Sequence, residues 1–270
     1  MGLQSAETPK PGQVVAALRS AASAADGMVA LRPGIDDRAM DGWGIPVPEH
    51  IRAILREVGG FDTLSPEGWT LEEFTPEHRD NYDPDGSYRS RCGAPGTFRV
   101  LHSNGAAETY YVDVDPTSGE WNGVFSLWDS INARFEAPGL GQWLLTLAHG
   151  IHRAAAATRA DHFDDFDDAF GTWFWDGLPE TANPSGAATA PDDRRTPPKA
   201  AVIDAPTARA SFDPVLSEVG AQLPDPASVA DLRGVTRRTY VPVIKHPDMG
   251  LDAAFHRFHH GQILAAVPWD

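Results

Sequence analysis

Two groups of histidines have the spacing that a metal ion could use. His256, His259 and His260 form an H-x-x-H-H cluster, and His149 with His152 forms an H-x-x-H pair. Imidazoles at i and i+3 can share zinc, but a hydrolytic zinc site also needs a third ligand and a nearby general base, such as the glutamate of H-E-x-x-H. Neither group has that glutamate, so they read as surface or helix-end histidines and no metal is assigned. Asn81-Tyr-Asp83-Pro-Asp85-Gly86 opens like a calcium loop, but Cys92 stands where the bidentate glutamate belongs. The run from Asp113 to Gly119 fails similarly, with Ser118 at the glycine position. Turns explain both runs better.

No glycine-rich nucleotide loop and no G-x-S-x-G appears. Carboxylates are plentiful, but nothing singles out an acid–base pair. Cys92 is the single cysteine, flanked by Arg89 and Arg91. It excludes an internal disulfide framework and fits a reducing compartment, and no motif makes it a nucleophile. The residues therefore indicate no catalytic group, no cofactor and no enzyme.

Charge is the stronger signal. Asp and Glu number 38 against 22 Lys and Arg, a formal charge of −16. Such a surface repels nucleic acid and anionic lipid and favours basic protein partners, or serves solubility alone. Within DHFDDFDDAFGTWFW, helical spacing would put Phe163, Phe166, Phe170 and Trp173 on one face and Asp161, Asp164, Asp165 and Asp168 on the opposite one. That acidic face reads either as solvated or as an electrostatic docking surface.

The elements that must position these groups follow from periodicity. Residues 13–25 predict a weakly amphipathic helix. Ile51, Ile54, Leu55 and Val58 mark a second one, entered through Pro46 and Pro48 and stopped by a left-handed cap at Gly59-Gly60. TFRVLHSNG, ETYYVDVDP and EWNGVFSLW read as consecutive strands with short turns, hence an antiparallel meander, the last strand central. Tyr110, Val112 and Val114 share one face; Thr109, Tyr111 and Asp113 share the other. Leu140, Trp143, Leu144, Leu147 and Ile151 predict a helix after Pro138. Residues 179–200 are rich in Pro, Ala and Thr and read as a flexible linker or long loop. Beyond them TRRTYVPVI reads as a strand, and LDAAFHRFHHGQILA as a helix with Leu251, Phe255 and Phe258 inward. The N-terminus carries no secretory signal, and no apolar run reaches membrane-spanning length, so a cytoplasmic location is expected.

Residues from about 28 to 150 resemble the SUKH superfamily, which includes bacterial immunity proteins and fungal cell-wall assembly regulators. The matching pieces come in the family's order: Arg32-Pro33-Gly34-Ile35-Asp36-Asp37, then Ile45-Pro46-Val47-Pro48, the helix IRAILREVGGF and the strand TFRVLHSNG. ETYYVDVDPTSGEWNGVFSLWD and the helix GLGQWLLTLAHGI complete the series. The D-x-D-P hairpin followed by Gly-x-Trp is the most specific block.

The resemblance implies an α+β fold, a bent antiparallel sheet with helices packed around it, here with a C-terminal extension. Together with composition and periodicity, it divides the chain into a helical lead-in (1–27), an α+β domain (28–178), the linker (179–200) and the extension (201–270), the last without a family counterpart. It also implies a non-catalytic immunity protein that binds and neutralises a polymorphic toxin, a nuclease for instance. By the same resemblance, Gly60, Asp113 and Trp121 match family signature residues whose expected role is to define the fold, not to catalyse. The expected partner is a basic toxin domain, not nucleic acid or membrane. Asp161, Asp164, Asp165, Asp168, Glu120 and Trp121 are the candidate contacts, although Trp121 also reads as core. A regulatory scaffold of the same fold and a metal-dependent hydrolase using the C-terminal histidines are the rival readings.

Overall fold

The computed structural model describes residues 8–63, 70–71, 97–103, 108–128, 132–160, 162–176, 198–242 and 253–268. The calcium-like run at 81–86, Cys92, Asp161 and residues 179–197 lie outside the described residues. The fold is α+β. No helix among the described residues is long and apolar enough to cross a membrane.

Helix α1 (Pro11–Ala24) begins with proline at its first position, where the missing N–H costs nothing. After strand β1 (Val29–Leu31) and the short helix α2 (Asp37–Asp41), helix α3 (Glu49–Leu55) buries Ile51, Ile54 and Leu55. The expected left-handed cap is absent: Arg56 closes α3 at φ −61, and of the two glycines only Gly60 has positive φ. Gly59 serves close approach instead. A Cβ there would lie 2.2 Å from the Pro33 carbonyl oxygen, and one at Gly34 would lie 1.8 Å from that of Arg56. The Pro33-Gly34 segment thus crosses the end of α3 where no side chain fits.

Strands β1, β2 (Phe61–Thr63) and β3 (Thr70–Leu71) form a small antiparallel sheet. The predicted meander is present as β4 (Phe98–Ser103), β5 (Glu108–Val114) and β6 (Trp121–Trp128), and a further strand that was not expected, β7 (Asn132–Ala137), continues it. With β10 (Thr239–Val241) it makes a five-stranded sheet of order β10-β7-β6-β5-β4, so β6 is central as expected. Asp115 shapes the β5–β6 turn by accepting from Thr117 N and Ser118 N at 2.8 and 2.9 Å. Gly119 completes that turn at φ +76.

Helix α4 (Leu140–Arg159) buries Leu140, Trp143, Leu144, Leu147 and Ile151, and α5 (Phe166–Asp176) packs beside it. These helices, with α1 and α3, cover the face of the central sheet that carries Tyr110, Val112 and Val114. The other face carries Tyr111, Phe125, Leu127 and Phe135, and a second sheet covers it. That sheet has the order β11-β12-β9-β8, from β8 (Val202–Asp204), β9 (Ser228–Asp231), β11 (Ala253–Phe258) and β12 (Ile263–Pro268). Its far face packs on α6 (Ala205–Arg209) and α7 (Pro214–Ala221). The layers run helix, sheet, sheet, helix. With both faces of the central sheet buried, the near-continuous apolar run of β6 follows.

Two elements differ from expectation. Residues 253–268 form a hairpin and not a helix. Ala253 and Phe255 face the central sheet while the alternate Phe258 packs towards α6 and α7, which is period two. His259, His260 and Gly261 take φ of 50, 58 and 74, a left-handed turn that no helix accommodates. Helix α5 starts at Phe166, so the expected helical aspartate face is not continuous: Asp164 and Asp165 lie in bends before it and only Asp168 is on the helix. The spacing of Asp161 with Asp165, and of Asp164 with Asp168, would stack like charges at i, i+4. Asp165 instead caps the shorter helix, its Oδ1 accepting from Asp168 N at 2.8 Å.

Candidate functional site

A cleft of about 520 Å³ opens where the helical layer, the central sheet and the C-terminal hairpin meet. Helix α3 contributes His50, Ile51 and Ile54, and the start of β6 contributes Glu120, Trp121 and Asn122. The first turn of α4 supplies Leu140 to Gln142. Leu232, Val235 and the hairpin turn His260–Gln262 close the far side.

Trp121 is fixed rather than free. It is 6% exposed, its Nε1 donates to the Pro46 carbonyl at 2.9 Å, and its ring stacks on Trp43 at 6.4 Å. As a freely exposed anchor it is therefore corrected to core, with one edge forming the cleft wall. Glu120, its neighbour, is exposed, and no cation among the described residues pairs with it.

A second recess of about 210 Å³ lies between the β5–β6 turn and the C-terminal hairpin. Its wall holds an ion pair that sequence reasoning missed. Arg257 Nε donates to Asp113 Oδ1, Arg257 Nη2 donates to the Thr97 carbonyl at 3.1 Å, and Asn122 Nδ2 donates to Asp113 Oδ2 at 3.2 Å. The guanidinium also lies 4.9 Å from the Tyr111 ring centre. Another network spans β6 and β7 of the central sheet. Glu136, wholly buried, accepts from Ser126 Oγ at 2.7 Å, from Arg134 Nε and from Arg238 Nε at 2.8 Å. Burial pushes its carboxyl up, but Arg238 and Arg134, with the Ser126 hydroxyl, outweigh that and hold its pKa below the ordinary value. The one hint of this network in the sequence was Arg134 and Glu136, two charges at i, i+2 on one face of a strand whose other face (Ala133, Phe135, Ala137) is apolar.

The histidines do not assemble as their spacing suggested. His149 is exposed on α4, and His152 Nε2 lies 3.3 Å from Ser20 Oγ. His256 sits on β11, where burial and the neighbouring Arg257 lower its pKa. His260 Nδ1 lies 3.2 Å from Asp115 Oδ2. Backbone N–H groups of Ser118 and Thr117 hold the Asp115 carboxyl below its ordinary range. Among the described residues, no three His, Cys, Asp or Glu side chains group as a metal site would require.

The surface carboxylates fall into two kinds. Those of α2, of α3 and of the turn after it are matched by arginines: Asp37 with Arg52 and Arg56, Asp41 with Arg52, Glu49 with Arg56, and Glu57 with Arg19. Asp164, Asp165 and Asp168 are exposed, and no cation among the described residues pairs with them. They are brought together at the turn between α4 and α5, while Glu120 and Trp121 lie at the cleft. The candidate contacts are thus two groups, not one surface. Comparisons with family models, curated proteins and solved structures found no match to the chain.

Proposed function

We propose that the chain is a non-catalytic, cytoplasmic immunity protein of SUKH-like character that neutralises a basic toxin domain by binding it. The observation that carries the reading is the distribution of its charge. Beyond the formal −16, three exposed aspartates at the α4–α5 turn keep their field directed outward, because no arginine among the described residues answers them. Unneutralised surface charge of one sign accelerates encounter with an oppositely charged protein by roughly 10- to 1,000-fold. The antiparallel meander and the D-x-D-P turn ahead of Trp121 are in keeping with the sequence resemblance.

The test is kinetic. A purified toxin domain encoded beside this gene is expected to bind, with an association rate that falls as salt rises. Asp164→Asn, Asp165→Asn and Asp168→Asn together should slow association by roughly tenfold and flatten its salt dependence. Asn caps helices as well as Asp, so the fold should be kept. No heat of binding with the parent protein would end the immunity reading. An equally fast triple variant would leave it standing but remove this turn from the interface.

A further inference from the structure

We infer that the cleft beside Trp121 receives a protruding basic loop of the protein partner, an arginine or lysine of that loop pairing with Glu120. The inference rests on the protein-binding reading and names where the partner inserts. Three features of the cleft point to this occupant.

Its size comes first. At about 520 Å³ it has room for several side chains, and binding recesses commonly form at such seams between packed units. The second feature is a preorganised aromatic wall. Trp121 is held at its Nε1 by the Pro46 carbonyl and at its face by Trp43, so meeting a ligand costs it little rotamer entropy. The edge it shows to the cleft gives the stem of an arginine or lysine apolar surface to lie on. The third is charge. Glu120 stands exposed at the wall with no cation paired to it among the described residues, next in the chain to Trp121. A carboxylate next to an aromatic wall selects a cationic side chain over an anionic or a purely apolar one. A second copy of the chain is disfavoured because it brings its own −16.

The experiment measures binding of the toxin domain from the adjacent reading frame to the parent and to three variants. Glu120→Lys reverses the charge at the cleft. Gln142→Trp, half-buried on the first turn of α4, fills the cleft and leaves the Glu120 charge in place. Glu218→Lys, exposed on α7 in the opposite outer layer, makes the same change of net charge elsewhere. The expected result is an affinity loss of about tenfold or more for Glu120→Lys and for Gln142→Trp, with Glu218→Lys close to the parent. If the parent binds and both cleft variants keep its affinity, this inference is wrong and the protein-binding reading survives. Equal losses for Glu120→Lys and Glu218→Lys also overturn it, since overall charge would then be the whole effect. Failure of the parent to bind removes both readings. Glu120 is exposed, so its variant tests the idea even if Gln142→Trp disturbs α4.

Discussion

Arg257 is 2% exposed in its side chain, and Asp113 beside it is nearly as enclosed. Removing one member of a buried pair strands the other charge, which costs about 3–5 kcal/mol, more than the pair contributes over an apolar replacement. Arg257→Met should therefore lower stability in urea by about 3–5 kcal/mol, and adding Asp113→Asn should restore part of it. Equal losses in the single and double variants would show that the charge is not what matters. Glu136 makes a pH prediction. Its folded pKa is depressed, so its contribution is complete above the ordinary carboxylate value near 4.3 and is lost as pH falls through the lowered one. The stability gap between the parent and Glu136→Gln should therefore be constant from about pH 7 to 5 and begin to narrow as the pH falls below about 4.3. A gap that widens as the pH falls would contradict this. The face on which Asp113 lies was legible from strand alternation alone. Its partner was not, because Arg257 lies 144 positions away and nothing local encodes that meeting.

Helices α4 and α5 meet at Gly150. A Cβ there would lie 2.4 Å from the Trp173 ring, which is stacked on Phe170 and has Arg238 5.6 Å from its centre. Alanine normally improves a helix interior by about 0.5–1 kcal/mol over glycine. Here the buried ring would have to shift, so Gly150→Ala should instead cost about 1–3 kcal/mol by overpacking, read as a lower midpoint in thermal melts. At the start of α5, Asp165→Ala should lose about 1 kcal/mol while Asp165→Asn stays near the parent, which separates capping from charge. Helices with one strong apolar stripe, such as α4, were legible from spacing. The 253–268 hairpin was not, because Leu251, Phe255 and Phe258 also fit a helical stripe. Only the second sheet, which buries both faces of the segment in turn, decides for period two. The start of α5 was misread because periodicity ignores repulsion among aspartates one turn apart.

Across the whole molecule, the segments before and after 179–200 share one apolar layer. Tyr111, Phe125 and Phe135 of the central sheet pack against Leu232, Phe255 and Leu264, and β10 adds an edge strand to β7. A fragment ending near residue 180 would uncover that layer. It should bind a hydrophobic dye and unfold without a sharp transition; a cooperative melt like that of the full chain would refute the shared core. The meander was readable because its strands follow one another with short turns. The second sheet was not, since its strands are short, scattered over 202–268 and separated by two helices, so no local pattern announces their pairing. The cleft was invisible for the same reason: its far wall comes from Leu232, Val235 and His260.

The Arg257–Asp113 bridge also sets an order of events during synthesis. The strand that carries Asp113 leaves the ribosome before the one that carries Arg257, and 120 residues separate the end of β7 from that arginine. At roughly 5–20 residues per second, the growing chain presents the bare aromatic side of its central sheet for about 6–24 seconds. Over that interval the cell's holding chaperones, rather than the chain's own second sheet, are what can keep Tyr111, Phe125 and Phe135 from sticking to other nascent chains. Demand for such chaperones should accordingly rise when translation of the stretch after residue 137 is slowed.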